Sequence, residues 1–132
     1  MSFYKKVLFI ASLLGALGVV LGAFGAHSLK AVLSPTQLSG YETGIAYHFY
    51  HTFALIGTGI LLAKSSNKWL KTAAVLFLLG ILLFSGSLYL LGCRELLGID
   101  AWRSILGPIT PIGGLCFIVA WISLGVGVLK QD

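Results

Sequence analysis

The sequence predicts an all-α integral membrane protein, a single domain over residues 1–132 built as a bundle of four transmembrane helices. Three observations predict it. Four long runs carry no charged residue; charged residues make up only 10% of the chain while hydrophobic ones make up 58%; and the lysines cluster between alternate runs. A soluble domain carries about 25% charged residues, so too few are present here to build a water-facing shell.

The four runs are 7–26, 45–63, 72–92 and 110–129. At about 1.5 Å per residue, each reaches roughly 30 Å, the thickness of a bilayer's hydrocarbon core. Backbone polar groups in lipid must bond internally, so each run is expected to be a helix. The alternating polarity of barrel strands is absent. The first run follows Lys5 and Lys6 and is 20 residues long. A cleavable signal core is about 7–15 residues, so the run reads as a retained first helix.

Four spans place both termini on one side. Lys5, Lys6, Lys64, Lys68, Lys71 and Lys130 share that side, whereas Lys30, Arg94 and Arg103 share the other. The positive-inside rule then puts both termini in the cytoplasm and the chain in the cytoplasmic (inner) membrane. The net charge of +5 is a topology signal and not a nucleic-acid footprint. The bilayer is the expected partner, with a second copy or a larger membrane complex as the protein partners to consider.

Short interfacial helices are expected in the two extracytoplasmic connections. Ser34-Pro35-Thr36-Gln37 has the pattern of a capped helix start, with Ser34 as N-cap and Gln37 reaching back. From Pro35 to Thr43 the chain is expected to lie along the interface and to bend into the second span at Gly40 or Gly44. In the second connection Asp100 is a candidate N-cap, and Trp102 suits the headgroup level. Lys64 to Lys71 is a short turn. Gly107-Pro108 and Pro111 suggest a broken start to the fourth span.

In the first span Gly15, Gly18, Gly22 and Gly25 form, with Ala11, one small-residue stripe at helical spacing. Such stripes let helix backbones approach closely, within one chain or between copies. Cys93 and Cys116 form no CxxC pair and read as small apolar fillers.

No span contains Asp, Glu, Lys or Arg, the residues by which proton-coupled carriers usually bury charge. The polar candidates are His27, His48, His51, Ser85, Tyr89 and Thr110, all in the extracytoplasmic half. The cytoplasmic half is almost featureless by comparison. His27 and His51 are candidate ligands for a metal ion or a haem iron. A nucleophilic Ser85 would lack an acidic partner at its depth. The expectation is therefore a non-enzymatic protein whose outer-half polar pocket, formed by His27, His51, Ser85, Tyr89 and Thr110, binds a lipid headgroup, a small solute or a partner helix. A small oligomeric transporter or channel is the alternative, and a histidine-ligated metal or haem protein a further one. Cofactors are left open.

Gly22-Ala23-Phe24-Gly25-Ala26-His27, Tyr50-His51, Phe84-Ser85-Gly86-Ser87-Leu88-Tyr89, Thr110-Pro111-Ile112-Gly113-Gly114 and Trp121 resemble the YgdD/YwdK family of small inner-membrane proteins. The resemblance covers nearly the whole chain. It implies four spans in the cytoplasmic membrane and brings no catalytic residue or cofactor. His48 lies outside the motifs that carry it.

Overall fold

Four helices account for most of the chain in the computed structural model, which describes all 132 residues. They are α1 (Phe3–Ala26), α2 (Pro35–Lys64), α3 (Lys68–Gly92) and α4 (Arg103–Leu129). Each is long and apolar enough to cross a membrane, and each extends beyond its charge-free run. Short 3-10 turns, Leu29–Ala31 and Asp100–Trp102, occupy the two long connections. These connections lie at one end of the bundle, here the loop end. Both termini and the α2–α3 turn lie at the other, the terminal end.

Helix α2 begins as its sequence predicts. The Ser34 hydroxyl accepts from the Gln37 amide at 3.2 Å, and the Ser34 amide donates to Gln37 Oε1 at 3.0 Å. Pro35 takes the first helical position, where no amide is needed. The expected bend is absent. The helix runs unbroken from Pro35 to Lys64, because glycine permits a bend without imposing one and an intact helix keeps every backbone bond. Gly44 is instead a contact point. A Cβ there would fall 2.9 Å from the Tyr89 ring.

Helix α4 likewise runs through Pro108 and Pro111 without a break. Each proline removes one amide bond, to Ser104 and Gly107 respectively. Ser104 and Gly107 are exposed at the loop end, where water or headgroups can satisfy their carbonyls. Asp100 does not cap the helix through its side chain. Its carboxylate accepts from Arg94 Nε at 2.9 Å.

Helix α3 carries a π-helical turn at Ile81–Ser85. The extra residue widens the helix and rotates the turns beyond it. Gly113 of α4 packs directly onto the Phe84 backbone within this turn.

Helices α2 and α3 form the central pair; α1 lies along α2 and α4 along α3, with no extensive contact between α1 and α4. The small-residue stripe of α1 faces α2. A Cβ at Gly18 would come within 2.8 Å of Phe49, and one at Gly25 within 2.7 Å of Tyr41; Gly15 and Gly22 meet Thr52 and Ile45 at ordinary contact distance. This stripe is thus occupied within the chain. Leu55, Leu62, Leu70, Ala74, Phe77 and Phe117 form the apolar core between the helices.

The terminal end is not featureless: its polar bonds between helices gather near the helix ends. Asn67 caps α3 by accepting from the amides of Trp69 and Leu70, and its Nδ2 donates to the Gly127 carbonyl at 3.0 Å. Gln131 donates to the Leu61 and Ser65 carbonyls, at the end of α2, where carbonyls run short of helical partners. Ser123 donates to the Trp69 carbonyl at 2.8 Å.

Candidate functional site

Four buried polar side chains, His48, His51, Ser85 and Ser87, anchor three knots. The first is built on the Gly44 carbonyl. Ser85, fully buried, donates to it at 2.7 Å, and the Tyr89 hydroxyl lies 3.2 Å from it. His48, 1% exposed, bridges α1 and α3. Its Nε2 lies 2.7 Å from the Leu14 carbonyl and its Nδ1 2.8 Å from the Tyr89 hydroxyl. A carbonyl only accepts, so Nε2 carries the ring proton and Nδ1 accepts from Tyr89. The Tyr41 hydroxyl donates to the Leu21 carbonyl, and its ring lies 5.2 Å from that of Tyr89. The π turn of α3 separates Phe77, in the regular helix before it, from Tyr89 in the helix after it.

The second knot holds His51. Its ring stacks on Phe117 at 3.5 Å between centroids and 9° between planes. Nδ1–H donates to the Tyr47 carbonyl at 2.7 Å, and Nε2 accepts from the Trp121 indole at 3.1 Å. Indole is only a donor and a carbonyl only an acceptor, so the tautomer is assigned and neither nitrogen keeps a free lone pair. The third knot joins α3 to α4. Ser87 donates to the Phe84 carbonyl at 2.9 Å, and the Thr110 hydroxyl donates to Ser87 Oγ.

Ser85 and Tyr89 meet, then, whereas His51 and Thr110 belong to separate knots. His27 is exposed at the end of α1. Gly25 of α1 sits against Tyr41, and His51 lies ten residues further along α2, roughly 15 Å. His27 and His51 therefore cannot share one ion. Nowhere do three His, Cys, Asp or Glu side chains come together as a metal site.

His48 is the residue that sequence reasoning set aside. It is three positions from His51, a rotation of about 60° between their directions on the helix. That angle suffices to aim one ring at α1 and Tyr89 and the other at α4. Nothing in the sequence distinguishes the two directions, because they depend on which helix lies on each side. Thr52, a turn beyond His48, is buried with its hydroxyl unpartnered.

One cavity at the loop end has Ser34, Thr36, Gln37 and Arg94 in its lining. It measures about 150 Å³ and lies between the start of α2 (Ser34, Thr36, Gln37, Gly40) and the end of α3 (Leu88, Leu91, Gly92, with Arg94). It opens within about a turn of the Gly44 knot. Arg94 is held in place by Asp100 at Nε and by the Leu91 carbonyl, 2.7 Å from Nη1. Those bonds leave Nη2 with no protein acceptor. Gln37 uses its Oε1 on Ser34 and keeps its amide donors free. The cavity thus offers a guanidinium edge, a carboxamide N–H and a threonine hydroxyl, a donor set suited to an anionic oxygen group.

The comparisons with known proteins agree with this architecture. The family described as "Protein of unknown function (DUF423)" matches residues 21–114. The UPF0382 membrane protein YwdK of Bacillus subtilis is 42% identical over 127 residues, covering 96% of this chain and 98% of its own. A UPF0382 membrane protein of Haemophilus influenzae is 42% identical over 127 residues, 96% of each chain. The UPF0382 inner membrane protein YgdD of Escherichia coli K12 is 33% identical over 126 residues, 96% of this chain and 91% of its own. No solved structure matches.

Proposed function

Because this chain belongs to the DUF423 family of membrane proteins, we propose that it is a non-enzymatic binding protein of the cytoplasmic membrane that holds a phosphate-type anion at its loop end. The lysine distribution supports an orientation with the terminal end in the cytoplasm. The loop-end cavity then lies at the extracytoplasmic headgroup level.

One observation carries the reading. Arg94 is fixed by Asp100 yet presents an unused guanidinium edge to a cavity of headgroup size. The knot of His48, Ser85 and Tyr89 supports it from below, holding α2 and α3 in the register that sets the cavity's width. Of the five residues expected to form one pocket, His51, Ser85, Tyr89 and Thr110 act as helix ties outside the cavity lining, and His27 lies at the surface.

A phospholipid headgroup and free phosphate offer the same chemistry. Native mass spectrometry of protein released from phosphatidylglycerol nanodiscs reads the first, and titration calorimetry with inorganic phosphate in zwitterionic nanodiscs reads the second. Arg94→Gln is expected to weaken whichever binds by about tenfold, the loss of one charge-assisted hydrogen bond. Wild-type binding of both ligands by that variant, or binding of neither by the wild type, overturns the reading.

A further inference from the structure

At the terminal end a crevice of about 150 Å³ lies between α1 and α3. Val7 and Ile10 of α1 form one wall, Ala74 and Leu78 of α3 the other, and Leu55 of α2 the floor, with Lys6 at the mouth. A second, shallower hollow adjoins it, sharing Phe3 and Val75 and adding Lys71 and Thr72. The two lysines therefore flank one opening, from α1 and from α3.

We propose that this crevice is a binding site for an anionic phospholipid, with one acyl chain in the cleft and the phosphate between Lys6 and Lys71. Two physical arguments select that occupant. The first is shape and solvent. The cleft is apolar and open toward the bilayer, and a void between packed helices forfeits dispersion contacts on all its walls. From Lys71 to Leu78 the wall descends about 10 Å, two-thirds of the roughly 15 Å depth of one leaflet's hydrocarbon. An acyl chain has that length and enters from that side.

The second is charge. The one salt bridge in the protein is Arg94 with Asp100 at the far end, so neither Lys6 nor Lys71 has a carboxylate partner. Lys5, Lys64, Lys68 and Lys130 add to the same face, and Asp132 is its one acidic side chain. Basic groups between spanning helices at the membrane surface attract anionic headgroups, each lysine contributing a share of the affinity. This site is independent of the loop-end cavity and rests on none of its residues.

Native mass spectrometry from nanodiscs holding phosphatidylglycerol and phosphatidylcholine in equal amounts tests it. Lys6→Gln/Lys71→Gln is expected to lower retained phosphatidylglycerol about twentyfold, with thermal stability in pure phosphatidylcholine unchanged. Ile10→Trp fills the cleft from its exposed wall and leaves both lysines in place. It is expected to expel the bound lipid of either kind. The measurements are made in the Arg94→Gln background, so that lipid at the loop-end cavity does not contribute to the retained phosphatidylglycerol. Phosphatidylglycerol retention at the wild-type level in the double lysine variant, or in Ile10→Trp, overturns the proposal.

Discussion

The loop-end and terminal-end halves of the bundle are held together by different means. In the loop-end half, side chains deep in the helix interfaces bond to carbonyls of neighbouring helices, as His48 does to Leu14 and Ser85 to Gly44. In the terminal-end half, Leu55, Leu62, Leu70 and Phe77 fill the interface, and the polar ties between helices gather near the helix ends. Lipid tails are as apolar as leucine, so burying leucine against leucine gains little in a bilayer beyond packing. The terminal half therefore relies on close fit and on capped ends. The loop-end half adds directional bonds, and these specify which residue faces which.

The comparison breaks first at the closest backbone approach. Gly113→Ala places a methyl group on the Phe84 backbone, which has no flexible end to swing aside. An expected loss of about 3 kcal/mol should appear in the midpoint of detergent-induced unfolding. A stability equal to that of the wild type would mean that α4 does not seat on the π turn. In the other half, Phe77→Ala empties a fully buried site. The unfolded helices stay in lipid, so mainly the packing part of the usual cost remains, about 2 kcal/mol by the same assay.

The polar knot is tested by coupling. His48→Leu removes the bonds to Leu14 and Tyr89 and is expected to cost about 1.5 kcal/mol. Tyr89→Phe in that background should add little, because its partner is already gone. Full additivity in a double-mutant cycle would show that the two side chains do not interact. The smallest effect is expected at Ser87→Ala, about 0.6 kcal/mol, since Thr110 loses an exchangeable acceptor near the loop end. The order of these four effects, packing contacts above hydrogen bonds, is itself a test of how the two halves differ.

Much of the fold was legible in the chain alone. The four charge-free runs each lie inside a helix, and the Ser34–Gln37 capping box forms as its spacing predicts. Less legible were the continuity of α2 past Gly40 and Gly44 and of α4 past its prolines. Glycine and proline mark where a helix is weakened, but whether it breaks depends on what else can satisfy the backbone. The π turn at Ile81–Ser85 had no sequence signal. Its apolar residues read the same in either helical form.

The candidate residues were legible by depth and not by direction. Position along a spanning helix sets the depth of a side chain, so the sequence alone placed His48, Ser85, Tyr89 and Thr110 toward the loop end, whereas His51, bonded to Trp121 and 5.9 Å from Phe77 between ring centroids, sits near the middle of the bundle. The sequence also determined the number of spans, the absence of charge within them and the lysine-rich end. Which side chains meet depends on rotation about each helix axis and on the helices packed beside it. Only the tertiary structure decided that His48 turns to Leu14 and Tyr89, that His51 turns to Phe117 and Trp121, and that a crevice lies between α1 and α3 over Leu55. Depth follows from a rise of about 1.5 Å per residue, a local quantity, whereas contact across helices is settled by the packing of the whole bundle at once.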